Sequence, residues 1–186
     1  MPKATIKFTY EDYKNLPESE TKRYELIEGE LLMVPSPTFE HQDISIHLEV
    51  ALYEFVRKHQ LGKVLDAPLD VVLDDENVVQ PDIIFISKAR SHIIHKEAIR
   101  GAPDLVIEIL SPSTGERDRT VKKKLYARAG VTEYWLVDPE KKTIEVLKLG
   151  ASGFERVAVY TQDETLTSPL LPGLLIPLRE IFSLET

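Results

Sequence analysis

Hydrophobic and polar positions change period several times along the chain, and each change marks an element. From Thr38 to about Gln60, the apolar residues Ile44, Leu48, Ala51, Leu52 and Phe55 recur at spacings of three and four, and Gly62 follows. That spacing predicts a long amphipathic helix closed by a glycine. A shorter helix is predicted over Thr9 to Leu16, with Thr9 as N-cap, Asp12 three residues on and Pro17 as its stop. Residues 23–34 read as a hairpin turning near Glu28-Gly29, ended by Pro35 and Pro37.

The middle of the chain reads mostly as sheet. Short strands are predicted at 63–65 and 69–73, with Asp74-Asp75-Glu76-Asn77 as a turn. Two runs, Gln80 to Ile86 and Asp104 to Leu110, are short, rich in β-branched residues and bounded by turn residues, as fully buried strands are. Between them, residues 88–103 read as a polar, basic loop holding one helical turn. Ser111 to Gly115 leads tightly into a helix over 118–129 that ends at Gly130, and a buried strand follows at 133–137, stopped by Asp138-Pro139. Strands at 143–149, 154–160 and 165–166 and a short helix near 178–183 complete the chain. Strand, helix, strand over 104–137 calls for a right-handed crossover between parallel neighbours. The expected class is α/β: a mixed β-sheet flanked by helices, with an added antiparallel strand region at the C-terminus. A length of 186 residues suits one domain over 1–186.

Composition narrows the chemistry. There are no cysteines, so disulfides, thiolate zinc sites and cysteine nucleophiles are excluded. No apolar run approaches the roughly 20 residues that span a bilayer, and Met1 to Lys7 lacks the apolar stretch of a secretory signal. These point to no membrane and to a cytoplasmic location. The net charge of −8 argues against binding nucleic acid through bulk electrostatics. The distribution softens this, because residues 57–128 hold 13 basic and 11 acidic groups. Within them Arg117, Arg119, Lys123 and Lys124 form a candidate phosphate-facing run, against the simpler reading of a solvated helix face.

Both buried runs place a carboxylate where a strand favours valine. Alternation puts Val106, Glu108 and Leu110 on one face of their strand and Leu105, Ile107 and Ile109 on the other. Asp82 opens the other strand, just after Pro81. If the strands are neighbours, carboxylates about 4 Å apart repel by roughly 4 kcal/mol at an effective dielectric near 20, and a cation must offset this. Oxygen ligands without cysteine favour magnesium or manganese. Lys122 is the other available cation, and Asp118, Lys122 and Tyr126 share a helical face. A metal on two carboxylates with a lysine to orient or deprotonate water supplies the parts for phosphodiester hydrolysis.

Several segments together carry a resemblance: Tyr24-Glu25-Leu26-Ile27-Glu28-Gly29; Pro35-Ser36-Pro37 with His41; Gln80-Pro81-Asp82; Val106 to Thr114; and Gly130 to Asp138. In this order and spacing the chain resembles the Uma2 family of restriction endonucleases, over roughly residues 9 to 182. The resemblance implies the PD-(D/E)XK nuclease superfamily and a metal-dependent phosphodiesterase core acting on DNA. By motif, Asp82 would be the first metal ligand, Glu108 the second, and the backbone carbonyl of Ile109 a third. The superfamily lysine stands two residues after the glutamate, where this chain has Leu110, and Lys122 is the expected substitute. Glu25, His41, Asp118 and Tyr126 are accessory candidates.

Simpler readings stand beside these. Asp82 alone could be a turn residue, Glu108–Lys122 a structural ion pair, His41 a surface group at a helix start and Asp118 a helix cap. Tyr134 and Trp135 are most simply core aromatics, and His92 and His95 sit in loop-like sequence. Two other functions fit: a catalytically inactive interaction or regulatory module, and a phosphodiesterase for small nucleotides. Bare-DNA binding should be weak and strongly salt-dependent unless a dimer concentrates the basic region. An exposed sheet edge and the apolar segment Leu170 to Ile176 suggest a homodimer.

Overall fold

The computed structural model describes residues 6–17 and 23–183. Helix α1, Tyr10–Lys14, has the expected capping box, with the Thr9 hydroxyl and Asp12 carboxylate satisfying each other's backbone N–H. Strands β1, Arg23–Ile27, and β2, Glu30–Val34, form the expected hairpin. Its two-residue loop has φ of 53° at Glu28 and 78° at Gly29, the pair of positive values that a tight hairpin turn needs. Helix α2, Phe39–Lys58, is capped by the Thr38 hydroxyl, which accepts from the His41 N–H.

The remaining strands are β3 (Gly62–Asp66), β4 (Val71–Asp74), β5 (Asn77–Val79), β6 (Ile83–Ser87), β7 (Ile99–Arg100), β8 (Leu105–Ile109), β9 (Glu133–Asp138), β10 (Thr143–Gly150), β11 (Gly153–Thr161), β12 (Thr165–Leu166) and β13 (Ile176–Pro177). They form a five-stranded sheet in the order β2-β1-β5-β4-β7, a six-stranded sheet β11-β10-β9-β8-β6-β3, and a small β12-β13 pair. β8 and β9 are parallel, as the strand, helix, strand order required, and β6 lies antiparallel beside β8. The antiparallel C-terminal region is β9, β10 and β11.

The structure corrects several boundaries. Gln80 to Ile86 is not one strand. β5 pairs with β1 and β4, whereas β6 pairs with β3 and β8, so Gln80-Pro81-Asp82 is where the chain leaves one sheet for the other. Pro81 has no N–H to continue a ladder. Residues 88–103 hold the expected helical turn, a 3₁₀ helix over Lys88–Ile93, and in addition the strand β7. The helix after β8 starts earlier than expected: α3, Gly115–Arg117, runs through a π-helical turn, Asp118–Lys122, into α4, Lys123–Ala129. Asp118 is therefore inside the helical run and does not cap it. The C-terminal helix α5 is Leu178–Ile181.

The six-stranded sheet is buried on both faces. On one, Leu105, Ile107 and Ile109 of β8 pack with Ile44, Leu48, Leu52 and Val56 of α2 and with Trp135. On the other, Val106 and Leu110 pack with Leu125 and Tyr126 of α4, Tyr134, and Ile27, Val71 and Val79 of the smaller sheet. Each fully buried aliphatic side chain contributes about 1.5–3 kcal/mol. The apolar segment expected to drive self-association is spent inside the protomer: Leu171, Leu174 and Ile176 join the first core, and only Leu175 of its leucines lies open, 66% exposed. Glu133, fully buried, fastens this segment by accepting from the Ser168 hydroxyl and the Leu170 N–H, and also from the Trp135 indole. Among the described residues, no helix is long and apolar enough to cross a membrane.

Candidate active site

Glu108 points to the face of the large sheet that looks toward α4 and the smaller sheet, and Asp82 lies at the passage between the sheets. The Asp82 carboxylate reaches the strand carrying Glu108, where Oδ2 accepts from the Ile109 N–H at 2.7 Å. One residue separates the two acids' anchor points. Tyr126, from α4, donates to Glu108 Oε1 at 2.6 Å, and Lys122, from the π-helical turn, donates to the same oxygen at 3.0 Å. Lys122 also donates to Glu25 Oε1 of β1 at 2.8 Å and lies 3.6 Å from Asp118 Oδ1. Glu25 Oε1 accepts in addition from the Gln80 N–H at 2.8 Å, tying the sheet-crossing segment to the cluster. All of these but the fully buried Tyr126 line a cleft of about 750 Å³ that also holds His41, Arg23, Arg117 and Arg119.

The π-helical turn explains why Asp118, Lys122 and Tyr126, at four-residue spacing, keep to one side of the helix, with Lys122 and Tyr126 on Glu108 and Asp118 beside Lys122. In a regular helix of 3.6 residues per turn each four-residue step overshoots a full turn. The wider π turn falls short of one. One step of each kind lies between Asp118 and Tyr126, so the errors oppose each other. Tyr134 locks the turn by donating to the Asp118 carbonyl at 3.0 Å.

Electrostatics follow from burial. Burial lowers the pKa of the Lys122 amine, but Glu108, Glu25 and Asp118 outweigh it and hold it well above its ordinary value. The three acids therefore favour its ammonium form, which can orient and donate. Burial raises the Glu108 carboxyl well above its usual range against the pull of Lys122, with Asp118 and Asp82 adding to the rise. Asp118 is raised for the same leading reason. Burial and Glu108 hold Tyr126 well above the usual phenol range, so it remains a donor. His41 Nε2 sits 3.3 Å from Asp82 Oδ2. Burial lowers the imidazole, but Asp82 and the Ile109 carbonyl more than offset that and raise it.

The uncommitted oxygens indicate what the cluster lacks. Both hydrogen bonds to Glu108 fall on Oε1, and the contacts to Asp82 fall on Oδ2. Asp118 Oδ1 is buried without a hydrogen-bond partner. With four carboxylates and one lysine, the cluster has room in charge for a further cation, and its all-oxygen donors suit a hard one. Among the described residues no group of three or more His, Cys, Asp or Glu side chains is arranged to hold a metal ion. Two carboxylates and a carbonyl completed by water match the usual manner of holding magnesium.

The structure thus joins Asp82, Glu108, Lys122, Glu25, His41 and Asp118 around one cleft, with Tyr126 buried behind Glu108. It separates the basic run. Arg117 and Arg119 line the cleft, but Arg119 is paired with Asp138 at 2.7 Å. Lys123 and Lys124 are not among the lining residues, because they follow the π turn onto other faces of the helix. Sequence reasoning missed Gln80 as the Glu25 anchor and the hydroxyl cluster of Ser111, Ser113 and Thr114 at the cleft wall.

A family model named Uma2 and described as "Putative restriction endonuclease" matches residues 10–179. Among solved structures, a nuclease-titled protein of the family DUF820 from Anabaena variabilis is similar, with a TM-score of 0.78. Its identity to this chain is 24%, over 94% of this chain and 97% of that one, a likeness that carries the fold. Among curated proteins nothing matches.

Proposed function

The chain belongs to the Uma2 family, described as putative restriction endonucleases, and from that premise we propose that it is a magnesium- or manganese-dependent endonuclease that hydrolyses DNA phosphodiesters. The observation that carries the reading is the division of labour within each acid. Asp82 and Glu108 both hold one oxygen against protein donors and keep the other uncommitted in the same cleft. With the Ile109 carbonyl they would hold the ion. When bound, the ion lowers the pKa of water and neutralises charge on the phosphoryl oxygen.

The chain's own groups do the rest. Lys122 holds its ammonium beside Glu108, where it orients a water by donation and offsets negative charge. Glu25 and Asp118 keep that ammonium in place and charged. Tyr126 fixes the Glu108 carboxylate by its hydroxyl, and His41 steadies Asp82. Arg23 and Arg117 are placed in the cleft wall to meet flanking phosphates.

Cleavage of a duplex with magnesium or manganese by the wild type and by Asp82→Ala tests this. The expected result is a loss of roughly 10²–10³-fold, the scale for removing one group that supports developing charge. Equal rates would remove the claim. The full engagement of Lys122 with Glu25 and Glu108 favours a second reading, a catalytically silent module built around a structural pair. A metal titration separates them: saturable binding lost in Glu108→Ala favours the enzyme, and no binding at millimolar ion favours the module.

A further inference from the structure

Helix α2 is apolar on two faces. Ile44, Leu48, Leu52 and Val56 are buried in the core, whereas Ile46, Val50 and Tyr53 are 50%, 47% and 51% exposed and Phe39 is 71% exposed. At 100° per residue the exposed four fall in a stripe about 60° wide on the side opposite the core. Polar groups belong there on a helix that serves one core. Phe39, Ile46 and Tyr53 are seven apart, and Asp43, Val50 and Arg57 interleave with them at four and three, so the stripe has heptad spacing. A seam this narrow fits another helix rather than a sheet, which takes a wider face.

The charges along the seam identify that helix. Within the seam, Asp43 lies toward the N-terminal end of α2 and Arg57 in its last turn. An antiparallel copy sets each acidic end over a basic end, twice across a two-fold axis. A parallel copy opposes like charges. At the basic end the Arg57 guanidinium already stands over the Tyr53 ring, 5.9 Å from its centroid, extending the apolar surface. We propose that α2 is the interface of a homodimer, packed antiparallel against the same helix of a second copy with the axis near Val50. At 1.5 Å per residue the two His41 side chains then lie about 27 Å apart along the helix axis, one at each cleft.

The test needs no catalytic readout, and it uses the full chain. Because the protein has no cysteine, Val50→Cys introduces a single thiol next to the axis. It should form a disulfide-linked dimer under mild oxidation, and Val157→Cys, at an exposed site on β11, should not. Sedimentation should show a wild-type dimer whose dissociation constant rises at least about tenfold in Val50→Glu, while circular dichroism of the variant keeps the wild-type secondary structure. Asp43→Arg and Arg57→Asp should each weaken the dimer, and the double variant should restore it. A wild type that sediments as a monomer at every concentration overturns the proposal. So does a dimer that Val50→Glu leaves intact, or Val50→Cys that cross-links no faster than the control.

Discussion

Lys122 has more anionic neighbours than it can neutralise, and this imbalance governs what single substitutions should do. Lys122→Met leaves Glu108 and Glu25 buried without their cation, so it should cost about 3–5 kcal/mol in urea unfolding, the scale for breaking a buried pair. A cost below about 1 kcal/mol would mean that the pair is not holding the cluster. Because burial raises the Glu108 carboxyl, a cation that requires the carboxylate should release a proton on binding. Calorimetry in buffers of different ionisation enthalpy should therefore give different apparent heats. His41 has the opposite sense of linkage to a depressed acid. Its folded pKa is raised, so its stabilisation is complete below the unfolded value and fades as pH rises through the folded one. The stability lost in His41→Ala should be larger at about pH 5.5 than at about pH 8.5, and an equal loss at both would contradict the Asp82 contact.

At the level of elements, the segments read best from sequence were those whose pattern is local. The periodicity of α2, the Glu28-Gly29 turn, the alternation of β8 and the glycine stop at Gly130 all announce themselves within a few residues. What escaped depends on partners distant in the chain. Gln80 to Ile86 looks continuous because both halves are apolar, and the change of sheet at Pro81 is set by β1 on one side and β8 on the other. The site was legible in Asp82, Glu108 and Lys122 because charges on apolar strands need a reason. Glu25 was marked only by its place in the family-like segment, and its contact with Lys122 comes from the neighbouring sheet. The π turn has no signature in Asp118-Arg119-Thr120-Val121-Lys122, yet it aligns the cluster.

The whole molecule sets an acidic protein of net charge −8 against a polyanion. The cleft offers Arg23 and Arg117 to phosphates, whereas Arg119 and Lys141 are tied to Asp138, so the logarithm of DNA affinity should fall with the logarithm of salt at a slope no steeper than about −2. A much steeper slope would place the DNA on another surface. The two sheets serve one end: the large sheet presents Glu108, the small one presents Glu25, and the segment crossing between them presents Asp82. Anomalous scattering from crystals soaked in manganese measures that convergence directly. The account predicts one peak bounded by Asp82, Glu108 and the Ile109 carbonyl, and a peak elsewhere, or none at this place, would contradict it.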